Sequence, residues 1–262
     1  MMCESQKEWE PGTYPLDRWD DLSRRAMDIL ARDPDQNALM VSCLNRGTAR
    51  NVSIIGQSVC FQDSNSGNYM LRCDSLEEFE AQYAAMPPCT FLLANGALGG
   101  RVQEAHPELT LCEYCQWVLT EPPEIEVHEM EGVAFGPVTK AQLPFIFRTY
   151  LSDEFDHDYV RRQIERAPAL CAFENGKILG YVLTHADGEA GPMYIDPAAR
   201  GKGLGTEMLR RITRMLVAQG YIPLGHIHTD NQVSMKMHRH VGFHQCGELI
   251  FWAYHKSIEK GM

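Results

Sequence analysis

No apolar stretch of the chain approaches the ~20 residues that a helix needs to cross a bilayer, so no membrane span is expected. Positive charge is the next shortage. Lys and Arg number 24 against 35 Asp and Glu, a formal net charge of -11 over 262 residues, which argues against a nucleic-acid or anionic-membrane partner. A cysteine framework is missing too. The nine cysteines are odd in number and irregularly spaced, a usage that suits a reducing compartment. The opening residues MMCESQKEWEPG carry acids and no apolar run, unlike a signal or transit peptide. The expectation is a soluble, cytoplasmic protein.

What is present is an ordinary globular composition, 44% hydrophobic and 23% charged, with length enough for two domains. The chain is organised around residues 189 to 229. Met193, Tyr194 and Ile195 end an apolar strand that Asp196-Pro197 closes. Gly201, Gly203 and Gly205 follow at alternate positions, and then Leu204, Met208, Leu209, Ile212, Met215 and Leu216 recur at helical spacing up to Gly220. A second strand comes after, so this is a βαβ unit with parallel strands. The first amides of a helix lack internal partners and carry the positive end of its dipole. With Arg200 and Lys202 beside them, they predict a diphosphate-binding loop. Two well-known loops fail on spacing. A Walker loop requires Ser or Thr after Gly-Lys and a glycine at 196, where Gly203 and Asp196 stand; the dinucleotide fingerprint requires glycine at 206, which is Thr206.

Arg200-x-x-Gly203-x-Gly205 after a strand ending in Asp-Pro resembles the acyl-CoA loop of the GNAT superfamily of N-acetyltransferases. A second block, Asn231, Ser234, Met237, His238, Gly242 and Phe243, resembles the superfamily's N-x-x-A-x-x-L-Y-x-x-x-G-F signature, with Ser for Ala, Met for Leu and His for Tyr. Asp230 is the expected N-cap of that helix. The resemblance implies an α/β (α+β) fold: a mixed, mostly antiparallel sheet with one splayed parallel strand pair and flanking helices. It implies acetyl-CoA, or another short acyl-CoA, as cosubstrate. The backbone of Met193 and Ile195 would hold the pantetheine. Arg200, Gly201, Lys202, Gly203, Leu204, Gly205 and Thr206 would hold the diphosphate, and Asn231 would bond the pantetheine arm. Pro192 donates no ladder bond, and it fits a strand that is bulged in this family.

Earlier in the chain, helices are expected with Trp19, Leu22, Ala26, Ile29 and Leu30 on one stripe and then over 37–44. Strands are expected over 52–61 and 68–73, a helix capped by a Ser75/Glu78 box, a strand over 89–93, a helix over 97–105 and a strand over 111–119. This order parallels that of the second half but has neither motif, which narrows the resemblance to the glycine N-acyltransferase-like branch, where a degenerate GNAT-like half precedes a competent one. Pro122 and Pro123 mark a linker, giving domains 1–121 and 122–262. Beyond it come a strand from Val127, a helix with Pro144 in its first turn, and a helix over 157–167 preceded by the acidic run Asp153, Glu154, Phe155, Asp156. An Asn175-Gly176 hairpin and a final strand over 248–255 complete the order.

Acyl transfer to an amine needs a base, an oxyanion donor and an outlet for the thiolate. Glu189 occupies the position where the branch carries a glutamate, so the resemblance implies a base, with a backbone N–H near Ile195 as oxyanion donor. A carboxylate of ordinary pKa ~4.3 needs burial or a water relay to act on an ammonium. A solvated strand-end glutamate is the competing reading. His238 stands where the superfamily's tyrosine protonates the thiolate, and would serve as the acid or pack as a structural histidine. Cys112 and Cys115 face opposite sides of a strand, and His226 with His228 lacks a third ligand, so no metal is expected; one of those histidines would line the acceptor cleft. The functional expectation is an N-acyltransferase acting on a small-molecule amine such as an amino acid. A non-catalytic acyl-CoA-binding or partner-binding module and a protein N-acetyltransferase are the alternatives.

Overall fold

The computed structural model describes residues 20–120, 124–150 and 157–257. Trp19, the linker prolines and the acidic run at 153–156 lie outside the described residues. In the first half α1 (Asp21–Leu30) and α2 (Ala38–Asn45) precede β1 (Ala49–Ile55), β2 (Ser58–Asp63), β3 (Tyr69–Arg72), α3 (Leu76–Tyr83), β4 (Thr90–Leu93), α4 (Gly99–Ala105) and β5 (Leu109–Val118). The second half has β6 (Ala134–Pro137), α5 (Leu143–Thr149), α6 (His157–Arg166), β7 (Leu170–Glu174), β8 (Lys177–Thr184) and β9 (Ala190–Ile195). It continues with α7 (Leu204–Ala218), β10 (Leu224–His228), α8 (Gln232–Val241) and β11 (His244–His255). The fold is mixed α/β and mostly antiparallel, as expected. From β1 and from β7 onward the two halves repeat one order: three strands, helix, strand, helix, strand.

Local chemistry sets most boundaries. Asp20 caps α1 by accepting from Ser23 N at 2.7 Å. Asn175 and Gly176 both take positive φ, 49° and 78°, as a tight hairpin turn between β7 and β8 requires. Pro144 does sit in the first turn of α5. The single strand expected over 52–61 is instead the β1–β2 hairpin, turned at Gly56 with φ 59°. Ser75 does cap α3, its Oγ accepting from Glu78 N at 3.2 Å, but the Glu78 carboxylate does not close the box; it accepts from Asp74 N and Gln57 N and ties α3 to that hairpin. No strand starts at Val127. His128 N donates to Glu207 and Arg211 donates to His128 O, so this segment is tied to α7.

The sheets hold the main departure from the sequence reading. One runs β1-β2-β3-β4-β11-β5-β10 and the other β6-β7-β8-β9. The final strand, expected over 248–255, closes the sheet of the second half in the sequence reading. Instead β11 lies between β4 and β5, and β5 lies between β11 and β10, antiparallel throughout. Each half thus receives the other's last strand, an exchange that alternation of side chains cannot signal because period 2 is blind to the partner. The core follows the sheet across the boundary: Leu39, Phe61 and Leu92 pack in one cluster with Leu224 and Ile250.

Parallel pairing differs between the halves. In the first half β3 and β4 are laddered, Tyr69 to Leu71 against Phe91 to Leu93. Their counterparts β9 and β10 share no ladder among the described residues and end up in different sheets. The β8–β9 ladder slips between Val182/Met193 and Thr184/Ala190, the expected bulge at Gly191 and Pro192.

Candidate active site

The gap between β9 and β10 has a definite backbone lining. Asp196 N donates to Leu179 O at 2.7 Å, and facing residues of an antiparallel pair alternate between bonded and unbonded. Met193 and Ile195, opposite Val182 and Gly180, therefore turn their backbone groups away from β8 and toward β10. On the far side Leu119 N donates to Pro223 O. By the same alternation His226, opposite Gln116, faces the gap.

At the end of β9 the loop folds as a helix start. Asp196 accepts from Ala198 N, a short 3-10 turn follows, and Gly201 and Gly203 take φ of 77° and 82°. That is the left-handed region where a side chain is costly. Gly203 caps α7, whose hydrogen bonding begins with Glu207 N onto Gly203 O, so the preceding amides have no helical acceptor. A Cβ on Gly201 or Gly203 would meet nothing within 4 Å, so the loop opens outward. Gly205 serves otherwise: its Cβ would fall 3.2 Å from Met237 Sδ, 3.7 Å from Ile195 and 3.8 Å from Met193, so glycine there lets α7 settle on β9 and α8. Leu204 is buried and Thr206 half-buried, while Lys202 is exposed. Arg200 donates from Nε to Ile195 O at 3.0 Å, which leaves the Ile195 N–H facing the gap. Asn231, not Asp230, caps α8, its Oδ1 accepting from Ser234 N.

Glu189 precedes β9 and fills the space where a β9–β10 ladder would begin. Its Oε1 accepts from His226 N at 2.6 Å and its Oε2 lies 3.1 Å from His226 Nδ1. The Glu189 side chain is 14% exposed and that of His226 1%, so Glu189 is not a solvated strand-end residue. Burial pushes its pKa up, but the field and hydrogen bonds of His226, with help from His185, outweigh this and hold it below the usual carboxylate range. Neighbouring Asp187 is driven up instead, by burial and by the charge of Glu189.

The Asp187 turn is anchored by the first half. Arg46, 1% exposed at the end of α2, donates from Nη2 to Asp187 O and lies 4.7 Å over the Tyr221 ring. The carboxylates of Asp63 and Asp187, both buried, act on it. Replacing Arg46 by methionine removes the donor to Asp187 O and the charge over the Tyr221 ring. The expected loss is about 1–3 kcal/mol in a urea unfolding curve.

His238 is buried at 5% exposure. Its Nδ1 lies 2.9 Å from Ser234 O, a group that only accepts, so Nδ1 carries the proton. Its Nε2 has no partner among the described residues and points at Gly225, where a Cβ would come within 2.9 Å. Burial lowers its pKa. The neutral ring has no proton on Nε2 to give, which weakens the acid role expected from the sequence. His228 lies against Tyr114, ring centroids 4.4 Å apart and planes tilted by 38°.

Sequence reasoning missed the partners of His226. Trp252 donates from Nε1 to Nδ1 at 2.9 Å and Gln116 Oε1 lies 2.9 Å from Nε2. Nothing in the linear pattern ties Gln116, on a first-half strand, to this site.

Residues 137–243 match the profile of the family described as Acetyltransferase (GNAT) family. No curated protein matches the chain. Among solved structures, a Drosophila protein aligns with TM-score 0.64 and 13% identity over 89% of this chain and 87% of its own. A GCN5-related N-acetyltransferase-like protein from Streptococcus suis gives 0.58 and 12% over 90% and 98%. A GCN5-related N-acetyltransferase from Kribbella flavida gives 0.53 and 16% over 84% and 93%. At these identities the likeness is one of fold. No helix of the described residues is long and apolar enough to cross a membrane.

Proposed function

We propose that the protein is an acyl-CoA-dependent N-acyltransferase that moves an acetyl or other short acyl group to the amine of a small metabolite, an amino acid being the favoured class. One contrast carries the reading. The parallel pair of the first half is zipped, whereas the matching pair of the second half is open and ends in a helix N-terminus whose glycines face free space. The match of residues 137–243 to an acetyltransferase family supports it.

Acetyl-CoA, when bound, supplies a thioester carbonyl. The amides of 201–206, with Arg200 and Lys202, suit its diphosphate. The outward-facing backbone of Met193 and Ile195 suits the amides of pantetheine, much as a sheet edge takes up a strand. Asn231 keeps its amide nitrogen for the same arm while its oxygen caps α8. The Ile195 N–H polarises the carbonyl, and Glu189 takes the proton from the attacking ammonium. The nitrogen lone pair then forms the C–N bond, the C–S bond breaks with its electron pair going to sulfur, and the second N–H proton passes from the amide nitrogen to the thiolate, giving the amide and free CoA thiol. Residues 1–121 form, in this proposal, a degenerate GNAT-like half and 122–262 the catalytic one, as in the glycine N-acyltransferase-like branch.

A second reading, a non-catalytic acyl-CoA-binding module, is favoured by the neutral, enclosed His238. Release of free CoA thiol from acetyl-CoA with a panel of small amines decides between them. Thiol release that depends on one amine class supports the enzyme; tight CoA binding without turnover supports the module. Replacing His238 by phenylalanine is expected to lower turnover by less than about tenfold, because the neutral ring brings no proton to the thiolate. The same variant has a stability signature. The folded pKa of His238 is depressed, so below about pH 6.5 the unfolded chain takes up a proton that the fold resists. Wild type should lose stability as pH falls through that range, and His238→Phe should lose less.

A further inference from the structure

His226 is held on both nitrogens in a way that bears on Glu189. Gln116 is fully buried, and its amide nitrogen donates to the carbonyls of Asp35, at 2.6 Å, and Gln36, at 3.0 Å. Its oxygen is thereby turned to His226 Nε2 at 2.9 Å, which makes Nε2 the protonated nitrogen. On the other side Trp252 Nε1, which can only donate, points at Nδ1 from 2.9 Å. Without a further proton the ring would be neutral, with a lone pair on Nδ1. That lone pair lies 3.1 Å from Glu189 Oε2. Two acceptor atoms at that separation repel until one proton lies between them.

We propose that Glu189 and His226 form a one-proton store, with Glu189 passing the proton on to His226 Nδ1, so that the pair rather than the carboxylate alone is the base for the proposed acyl transfer. The reading rests on the function proposed above. In the step, the N–H bond of the ammonium breaks and its electron pair stays on nitrogen. The proton passes to Glu189 and is held along Oε2···Nδ1, then leaves to the product side when the site resets. The proton is then shared by two acceptors instead of resting on one carboxylate, which answers the weakness of a lone glutamate as base. The geometry also orders the halves: β5 supplies Gln116, β10 His226 and β11 Trp252, while Glu189 reaches His226 from the start of β9. The other titratable groups whose fields reach the pair are His185 at the end of β8, Asp187 in the turn, Tyr159 on α6 and His238 on α8.

Two measurements test it, one without turnover. In protein with 15N-labelled imidazoles held at one pH, His226 should keep a proton on Nε2, and its Nδ1 signal should lie nearer that of a protonated ring nitrogen in wild type than in Glu189→Gln, since an adjacent carboxylate favours a proton there. The same Nδ1 signal in both overturns the shared proton. In kcat against pH, the acidic limb should report the pair. His226→Gln should move it down toward ~4.3 with a plateau about 10–100-fold lower, and Trp252→Phe should move it up by removing the donor that favours neutral Nδ1. A purely structural role lowers the plateau and moves neither limb, which would overturn the assignment to base catalysis. Imidazole coupling in a protein that releases no CoA thiol with any amine would refute the acyltransferase reading while leaving the proton store standing.

Discussion

Replacing Gly203 by aspartate is expected to weaken CoA binding by about a thousandfold while moving the thermal midpoint by only a few degrees. Gly203 holds φ at 82° with open space where a side chain would go. Aspartate is among the residues that visit this conformation, at a strain of ~1–2 kcal/mol. A carboxylate at a helix start recovers ~0.3–1 kcal/mol from the dipole. The fold is thus nearly indifferent. The ligand is not, because the new charge stands where the diphosphate would lie. Like charges ~4 Å apart near a protein surface repel by about 4 kcal/mol, a factor of roughly 10³. Titration calorimetry with CoA and a melting curve on the same preparation separate the two effects. Unchanged affinity would mean that the diphosphate lies elsewhere.

Replacing Glu189 by glutamine is expected to lower kcat by about 10²–10⁴-fold, the usual worth of a general base, with CoA affinity unchanged. The substitution is close to isosteric and keeps the local hydrogen bonds. The amide oxygen still accepts from His226 N, and the amide nitrogen donates to Nδ1. What it removes is the capacity to take up a proton. Steady-state thiol release, with CoA affinity measured in parallel, reads both. A kcat within threefold of wild type would remove Glu189 from the reaction.

Much of the site was legible in the chain because its signals are local. Gly201, Gly203 and Gly205 announce backbone that a Cβ would hinder, although only the first two do so through positive φ. Asn175-Gly176 dictates its own turn. Glu189 was legible as a candidate, but its surroundings were not. Whether a strand-end carboxylate is solvated depends on what β10 brings opposite it, and His226 is far away in sequence. Gln116, Trp252 and Arg46 were illegible for the same reason: each reaches the site through sheet order, which no residue pattern encodes. The place of β11 shows this most plainly. Its alternation predicts a strand, and only the three-dimensional pairing shows that the strand belongs between β4 and β5.

That crossed pairing constrains how the chain can be made. During synthesis the first half would emerge with β4 and β5 unable to meet, since the strand that joins them is β11. Two raw edges would wait for the ribosome to deliver residues 244–255, exposed to chaperones and to neighbouring nascent chains. An excised second half would meet the mirror problem, with β10 lacking its ladder partner β5. The molecule should therefore melt as a single cooperative unit despite its internal repeat, and shortening it by its last strand should unravel both halves together.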